Sequence, residues 1–368
     1  MSLKRVLYIS YDGMTDPLGQ SQVLPYLVGL SSKGYSFELI SFEKKHLFQN
    51  RKQHISEICS SNGITWTPLT YTKQPPVLST IWDLLKLNRQ VSKSIEKGID
   101  WIHCRSYLPA LIALRYKKKI KLPFLFDMRG FWADERVDGG IWSFKNPLFR
   151  AIYRYFKRKE KDFLSEAKHT ISLTESAKSE ILEWELLGLR GELISVIPCT
   201  ADFDLFECNS TEKKAQAKKA LGLSVDAPVL TYLGSIGTWY MLDEMLSYFE
   251  EMLKLRPSSV FLIITKDDQV ALRNRIAVHQ LPNESIRITS ADREELPKLL
   301  MASDQSIFFI LPAFSKKASS PTKMGELLAM GIPVIGNAGV GDVALLIENM
   351  DVGKVLNDFS IGSYRKVV

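Results

Sequence analysis

The stretch SSPTKMGELLAMGIPVIGN, Ser319 to Asn337, sets an apolar run at helical spacing against a β-branched one, with Gly331 between them. Ser320 is a good N-cap, Pro321 suits the first helical position, and Gly331 is the natural stop before the strand IPVI. A helix that closes directly on a strand is the unit from which parallel sheets with crossover connections are built. Lys323 sits near the end of that helix that already carries partial positive charge, where a cation is unfavourable without an anion beside it. The stretch therefore reads as an anion site.

Outward from this stretch the same unit repeats. In the first half RVLYIS, FELISF, ITWTPL, WIHC, LPFLFD, HTISLT and LISVIP read as strands. Helical spacing fills 21–33, 47–61, 79–97, 107–118, a long run from Pro147, and 175–184. After the polar segment VIPCTADFDLFECNST come PVLTYLGS, VFLIIT, IRIT, SIFFIL and PVIG, alternating with helices at 241–255, 269–279, 293–302 and the opening stretch. This predicts an α/β chain of two Rossmann-like, doubly wound parallel sheets, 1–198 and 199–368, hinged near Pro198 and facing across a cleft. At 368 residues the chain also exceeds the usual size of one hydrophobic core.

The four cysteines, Cys59, Cys104, Cys199 and Cys208, form no CxxC pair, and no histidine cluster has metal spacing, which argues against a disulfide framework or a zinc site. A reducing cytoplasm is the expected setting, with no bound metal and no cofactor. No apolar run reaches bilayer-spanning length, and the N-terminus lacks the apolar core of a signal peptide. Lysine and arginine exceed aspartate and glutamate by 48 to 41, a net charge of +7. Much of the excess lies in RYKKKIK (115–121), YRYFKRKEK (153–161) and KKAQAKK (213–219). Each run alone is ordinarily a solvated helix face. The second, interleaved with Phe149, Tyr153, Tyr155 and Phe156, points to an anionic membrane surface at the inner face of the cytoplasmic membrane rather than to nucleic acid.

In doubly wound sheets ligands bind beyond the carboxyl ends of the strands, so chemistry is sought there. The loop DGMTDPLGQSQ places Gly19 and Gln20 beside a helix start, where glycine admits a ligand to the backbone. FDMRGFWADERVDGG packs Asp127, Arg129, Glu135, Phe131 and Trp132 after a strand, and Arg105 closes the preceding strand on the same rim. A self-satisfied loop network is the ordinary reading; convergent arginines and a carboxylate, with aromatic faces nearby, also suit a sugar surface. YLGSIGTWY sets Gly234 and Ser235 at another strand end. At the opening helix, Ser320, Thr322 and free N–H groups can donate to a diphosphate, with Lys323 compensating its charge. Glu326, about one turn on, can accept both hydroxyls of an attached ribose. Asp202-Phe203-Asp204 spells DxD but lies in the linker and reads as linker.

Two Rossmann-like halves, the glycine loop after the first strand, VIPCTADFDLF, YLGS and SSPTKMGELLAMGIPVI together resemble the family 4 glycosyltransferases of the GT-B fold. The resemblance implies retaining, metal-independent transfer of a sugar from a nucleotide-diphosphate donor, held by the C-terminal half, to a glycan or lipid-linked acceptor on the N-terminal half. It implies Glu326 as the ribose-binding glutamate. The residues themselves give Asp127, Arg129, Arg105 and Lys323 as the catalytic candidates. Two departures stand out. Ala318 occupies the place of a second family glutamate, and the basic pair expected after YLG is missing, with Lys316, Lys317 and Lys323 left to replace it. Helices that would return to the N-terminal half are expected beyond GSYRKVV. A sugar-nucleotide epimerase of the same architecture and a non-catalytic donor-binding subunit are the alternatives.

Overall fold

A computed structural model describes residues 4–208 and 210–368. The chain divides into two compact units, Met1–Pro198 and Cys199–Val368. In the first, strands β1 (Lys4–Ser10), β2 (Tyr35–Glu43), β3 (Thr65–Thr70), β4 (Trp101–Arg105), β5 (Phe124–Asp127), β6 (His169–Ser172) and β7 (Ile194–Val196) form one sheet in the order β3-β2-β1-β4-β5-β6-β7. Every pairing is parallel. Its helices are α1 (Pro17–Gln22), α2 (Leu24–Ser31), α3 (Lys45–Ser61), α4 (Leu78–Glu96), α5 (Tyr107–Ile120), α6 (Trp132–Asp138), α7 (Pro147–Glu166) and α8 (Glu175–Leu182).

The second unit repeats the winding with β8 (Val229–Leu233), β9 (Val260–Ile264), β10 (Ile286–Thr289), β11 (Gln305–Ile307), β12 (Val334–Asn337) and β13 (Gly353–Leu356), in the order β10-β9-β8-β11-β12-β13. Its helices are α9 (Thr211–Ala220), α10 (Leu242–Leu255), α11 (Gln269–Ala277), α12 (Leu296–Leu300), α13 (Thr322–Ala329), α14 (Val343–Asn349) and α15 (Ile361–Val367). The central strands are buried along their length, as Val260–Ile264 illustrates, because helices cover both faces. In each sheet the order reverses beside the first strand, so the ends of β1 and β4, and of β8 and β11, flank a switch point.

Two local expectations change. The helix read over 21–33 is two helices broken at Val23, because Pro25 has no N–H to bond the Ser21 carbonyl and its ring would clash with that carbonyl in a continuous helix. The strand read over SIFFIL stops at Ile307; the Asn337 side chain then both donates to and accepts from the Ile310 backbone, replacing a strand partner. Among the described residues no helix is long and apolar enough to cross a membrane.

Candidate functional site

In the first unit the loop after β1 is clamped from beneath. Glu43, at the end of β2 and 2% exposed, accepts from Met14 N (2.8 Å), Thr15 N (3.1 Å), Thr15 Oγ1 and Ser41 Oγ. The sequence did not single out Glu43; its signal is an acid ending an otherwise buried strand. Gly19 is not open to a ligand, contrary to expectation. A Cβ there would lie 2.2 Å from Gly13 O and 2.6 Å from Met14 Cα, so the protein's own loop already makes the close approach. Gln20 Nε2 donates to Thr15 O at 3.0 Å and ties the same loop. Gly19→Ala is therefore expected to cost about 1–3 kcal/mol in urea unfolding. Gly29→Ala, whose Cβ would meet nothing within 4 Å, is expected to be neutral or slightly stabilising.

Beside that loop Arg105, Asp127 and Arg129 converge at the ends of β4 and β5. Arg105 Nε lies 3.3 Å from Asp12 Oδ2, its Nη1 is 3.7 Å from Asp127 Oδ2, and its Nη2 donates to Gln22 Oε1 at 3.1 Å. Arg129 donates to the same Gln22 oxygen and lies 3.8 Å from Asp127 Oδ1. Gln22, on α1, thus joins the two guanidiniums, a role nothing in its sequence context announced. His103 Nε2 is 3.8 Å from Asp127 Oδ2. Burial pushes the Asp127 carboxyl up, but Arg129, His103 and Arg105 outweigh it and hold the carboxyl below its ordinary range. Ser106 and Arg129 both take positive φ, 68° and 56°, so backbone strain is concentrated on this rim.

The rest of the FDMRGFWADE segment turns away. Phe131 is 1% exposed and packs on Trp184 at 5.6 Å, so its face is not free to stack on a sugar. Trp132 is half-buried among Tyr107, Trp142 and Phe156. Asp134 accepts from Tyr153 and Lys157, both at 2.8 Å, and Glu135 is half-buried on the same α6. Of the aromatic residues interleaved in the second basic run, Phe156 is buried, Phe149 and Tyr153 are half-buried and Tyr155 is 40% exposed, while Arg150, Arg154, Arg158 and Lys161 face solvent. The expected single acceptor surface is therefore split, with only the Asp127 and Arg129 end at the rim.

In the second unit the switch point brings Gly234, Lys323 and Glu326 together. Gly234 has φ of +128°, and a Cβ there would lie 2.6 Å from Lys323 Nζ. The lysine stem is partly exposed, but Nζ is buried without a hydrogen-bond partner, 3.7 Å from the Tyr240 ring centroid and 4.7 Å from that of Tyr232. Burial pushes its pKa down to about 7, with Glu326 opposing. Glu326 is 5% exposed and accepts from Arg293 Nη1 at 2.7 Å, so one carboxylate oxygen is already engaged. Burial raises its pKa, against the pull of Arg293 and Lys323.

Helix α13 begins at Thr322, one residue later than expected, with Pro321 as its N-cap. Ser320 does not cap it; its Oγ accepts from Cys199 N at 3.0 Å and fastens the linker instead. Ser235 is exposed, and its carbonyl accepts from Tyr232 Oη. Lys316 Nζ lies 3.7 Å over the Trp239 ring, while Ala318 is 3% exposed. Asp202 Oδ1 accepts from Asp204 N and Leu205 N, closing a turn in the linker. Among the described residues no group of three His, Cys, Asp or Glu side chains is placed to hold a metal ion.

A sequence profile of Glycosyltransferase Family 4 matches residues 23–205. By sequence and by fold the chain resembles the family 4 glycosyltransferases. The matched span runs from the end of α1 through the rest of the first unit into the linker, and does not reach the Ser319–Ile335 stretch. HepE of Anabaena, solved with UDP and glucose, shares 13% identity and has a TM-score of 0.67 over 98% of this chain and 88% of its own. Sucrose-phosphate synthase of Thermosynechococcus elongatus shares 15%, with a TM-score of 0.69 over 99% and 88%. WaaG, a glycosyltransferase involved in lipopolysaccharide biosynthesis, shares 15%, with a TM-score of 0.67 over 98% and 89%. These likenesses fix the glycosyltransferase-like GT-B fold. No curated protein matches the sequence.

Proposed function

We propose that this chain is a glycosyltransferase that moves a sugar from a nucleotide-diphosphate donor to a lipid-linked or polysaccharide acceptor in bacterial surface-glycan synthesis, with retention of configuration and without a metal. The observation that carries the reading is Lys323: an ammonium group buried among rings, without a hydrogen-bond partner, beside a glycine at a strand end and on the first turn of α13. An unpaired buried cation is costly, and an anionic ligand removes that cost. A diphosphate would accept from Thr322 and backbone N–H groups at the start of α13 while Lys323 balances its charge, with Ser235 and Ser320 flanking it. The open oxygen of Glu326 would accept from a ribose hydroxyl, and Arg293 orients the carboxylate. Asp127, kept ionised by Arg129, His103 and Arg105, supplies acceptor-side electrostatics rather than a proton. HepE, solved with UDP and glucose, and WaaG, which acts in lipopolysaccharide biosynthesis, support this choice of donor and setting. The setting is the inner face of the cytoplasmic membrane, with the exposed arginines of α7 towards anionic headgroups.

Incubation of the pure protein with labelled nucleotide sugars and membrane lipids tests the reading: label transferred to lipid or glycan supports it. An isomerised donor would make the protein an epimerase instead. Donor binding without turnover would make it a binding subunit, the reading favoured by the buried Ala318. Glu326→Ala is expected to weaken UDP binding by about 1–3 kcal/mol in calorimetry, since it removes a diol acceptor and leaves Arg293 unpaired. Unchanged UDP affinity would remove Glu326 from the site.

A further inference from the structure

Helix α4 has two opposed faces. One is buried against the sheet, through Asp83, Leu87, Val91 and Ser94. The other carries Leu78 (63% exposed), Ile81 (50%), Trp82 (58%) and Leu85 (60%), at i, i+3, i+4 and i+7. At about 100° per residue these four share one stripe directed away from the core. Soluble surfaces scatter single apolar side chains; a contiguous tryptophan, isoleucine and two leucines mark a surface that something covers.

Charge says what covers it. Asp83, the acid within the apolar segment, is buried and paired with Lys86 at 2.6 Å, so it contributes no negative charge to the exposed side. Arg89 and Lys93 continue the same line, and Lys73 precedes the helix; all three are exposed. The exposed acid on the helix, Glu96, lies near its end. Next to α4, Tyr116 of α5 donates to Asn88 O at 3.4 Å, and α5 ends in exposed Lys118, Lys119 and Lys121 around Ile120, itself 48% exposed. Apolar side chains with a tryptophan, bordered by cations and largely free of acids, match the boundary between acyl chains and anionic headgroups.

We propose that the exposed stripe of α4 is a membrane-docking surface that lies in the plane of an anionic bilayer, with Leu78, Ile81, Trp82 and Leu85 inserted and Arg89 and Lys93 at the headgroups. The inference rests on the membrane setting proposed above but not on the transfer chemistry. It adds an inserted apolar stripe to the anionic surface that the sequence reading placed at the basic run 153–161, on a helix whose stripe the sequence had given no role.

Co-sedimentation of the full chain with phosphatidylcholine vesicles containing about a third phosphatidylglycerol tests it. The wild type is expected to pellet with these vesicles, less so at high salt, and weakly with phosphatidylcholine alone. The double variant Trp82→Glu/Leu85→Glu is expected to bind about tenfold more weakly or worse, with unchanged melting temperature and UDP affinity, since both side chains are exposed. Equal pelleting of variant and wild type would overturn the proposal, as would a wild type that ignores the vesicles. So would a vesicle-free dimer in sedimentation velocity that the variant abolishes, because a second copy would then be the cover. Glu326→Ala separates the two readings: it should weaken UDP binding and keep the vesicles.

Discussion

Methionine in place of Lys323 is expected to lower donor turnover, read as kcat/KM, by about 10²–10³-fold while making the free protein more stable. The two effects share one cause. Nζ lies 3.7 Å from the Tyr240 centroid and 4.7 Å from that of Tyr232, with no hydrogen-bond partner, so folding strips it of water and returns only ring contacts. Burial brings its pKa from 10.5 to about 7. Between those values the unfolded chain holds a proton that the folded chain has lost, so stability rises with pH across this window. Below about pH 7 both states are protonated and the full penalty applies, a few kcal/mol by the size of the shift. Methionine keeps the stem and removes the penalty. Its gain in urea stability should be largest near pH 6 and shrink as pH rises through the window. A donor diphosphate reverses the balance, since it restores the partner the ammonium lacks. A variant that turned over donor normally, or that melted lower than wild type at neutral pH, would show that Lys323 is a structural lysine.

The alternation of strands and helices was legible because it rests on local chemistry: buried parallel strands read as continuous apolar runs, and glycine and proline punctuate them. The helix start at Thr322 was legible to within one residue, yet the role of Ser320 was not. Whether its hydroxyl caps the helix or fastens Cys199 depends on where the linker runs, which composition does not encode. The same limit explains Phe131 and Gly19. An aromatic beside carboxylates, or a glycine at a helix start, looks like a ligand surface in one dimension. Trp184 and the Gly13–Met14 backbone fill those spaces from segments distant in the chain or folded back on it. Gln22 and Glu43 went unread for the complementary reason: their importance lies entirely in partners from other elements. The exposed stripe of α4 was readable as helical spacing, but which face of the helix the sheet covers was not.

Glu43→Ala is expected to lower the stability of the first unit by about 3–5 kcal/mol, among the largest single-residue costs in the chain. Two backbone N–H groups, Met14 and Thr15, and two hydroxyls, Thr15 and Ser41, end on this one carboxyl in a site 2% exposed. Alanine leaves all four donors without an acceptor where water does not easily reach. The hydroxyls can rotate to other acceptors; the backbone groups cannot. Glutamine separates the contributions: its single carbonyl oxygen can serve one backbone N–H, while its amide meets the other donor to donor, so its cost should fall between alanine and wild type. The loss should reach the rim as well, because the freed loop carries Asp12, which pairs with Arg105 at 3.3 Å. Urea unfolding of the three proteins would give the order wild type, glutamine, alanine. If alanine unfolded within about 0.5 kcal/mol of wild type, the loop would not depend on the clamp, and the strained arginine rim beside it would have to be positioned by β4 and β5 alone.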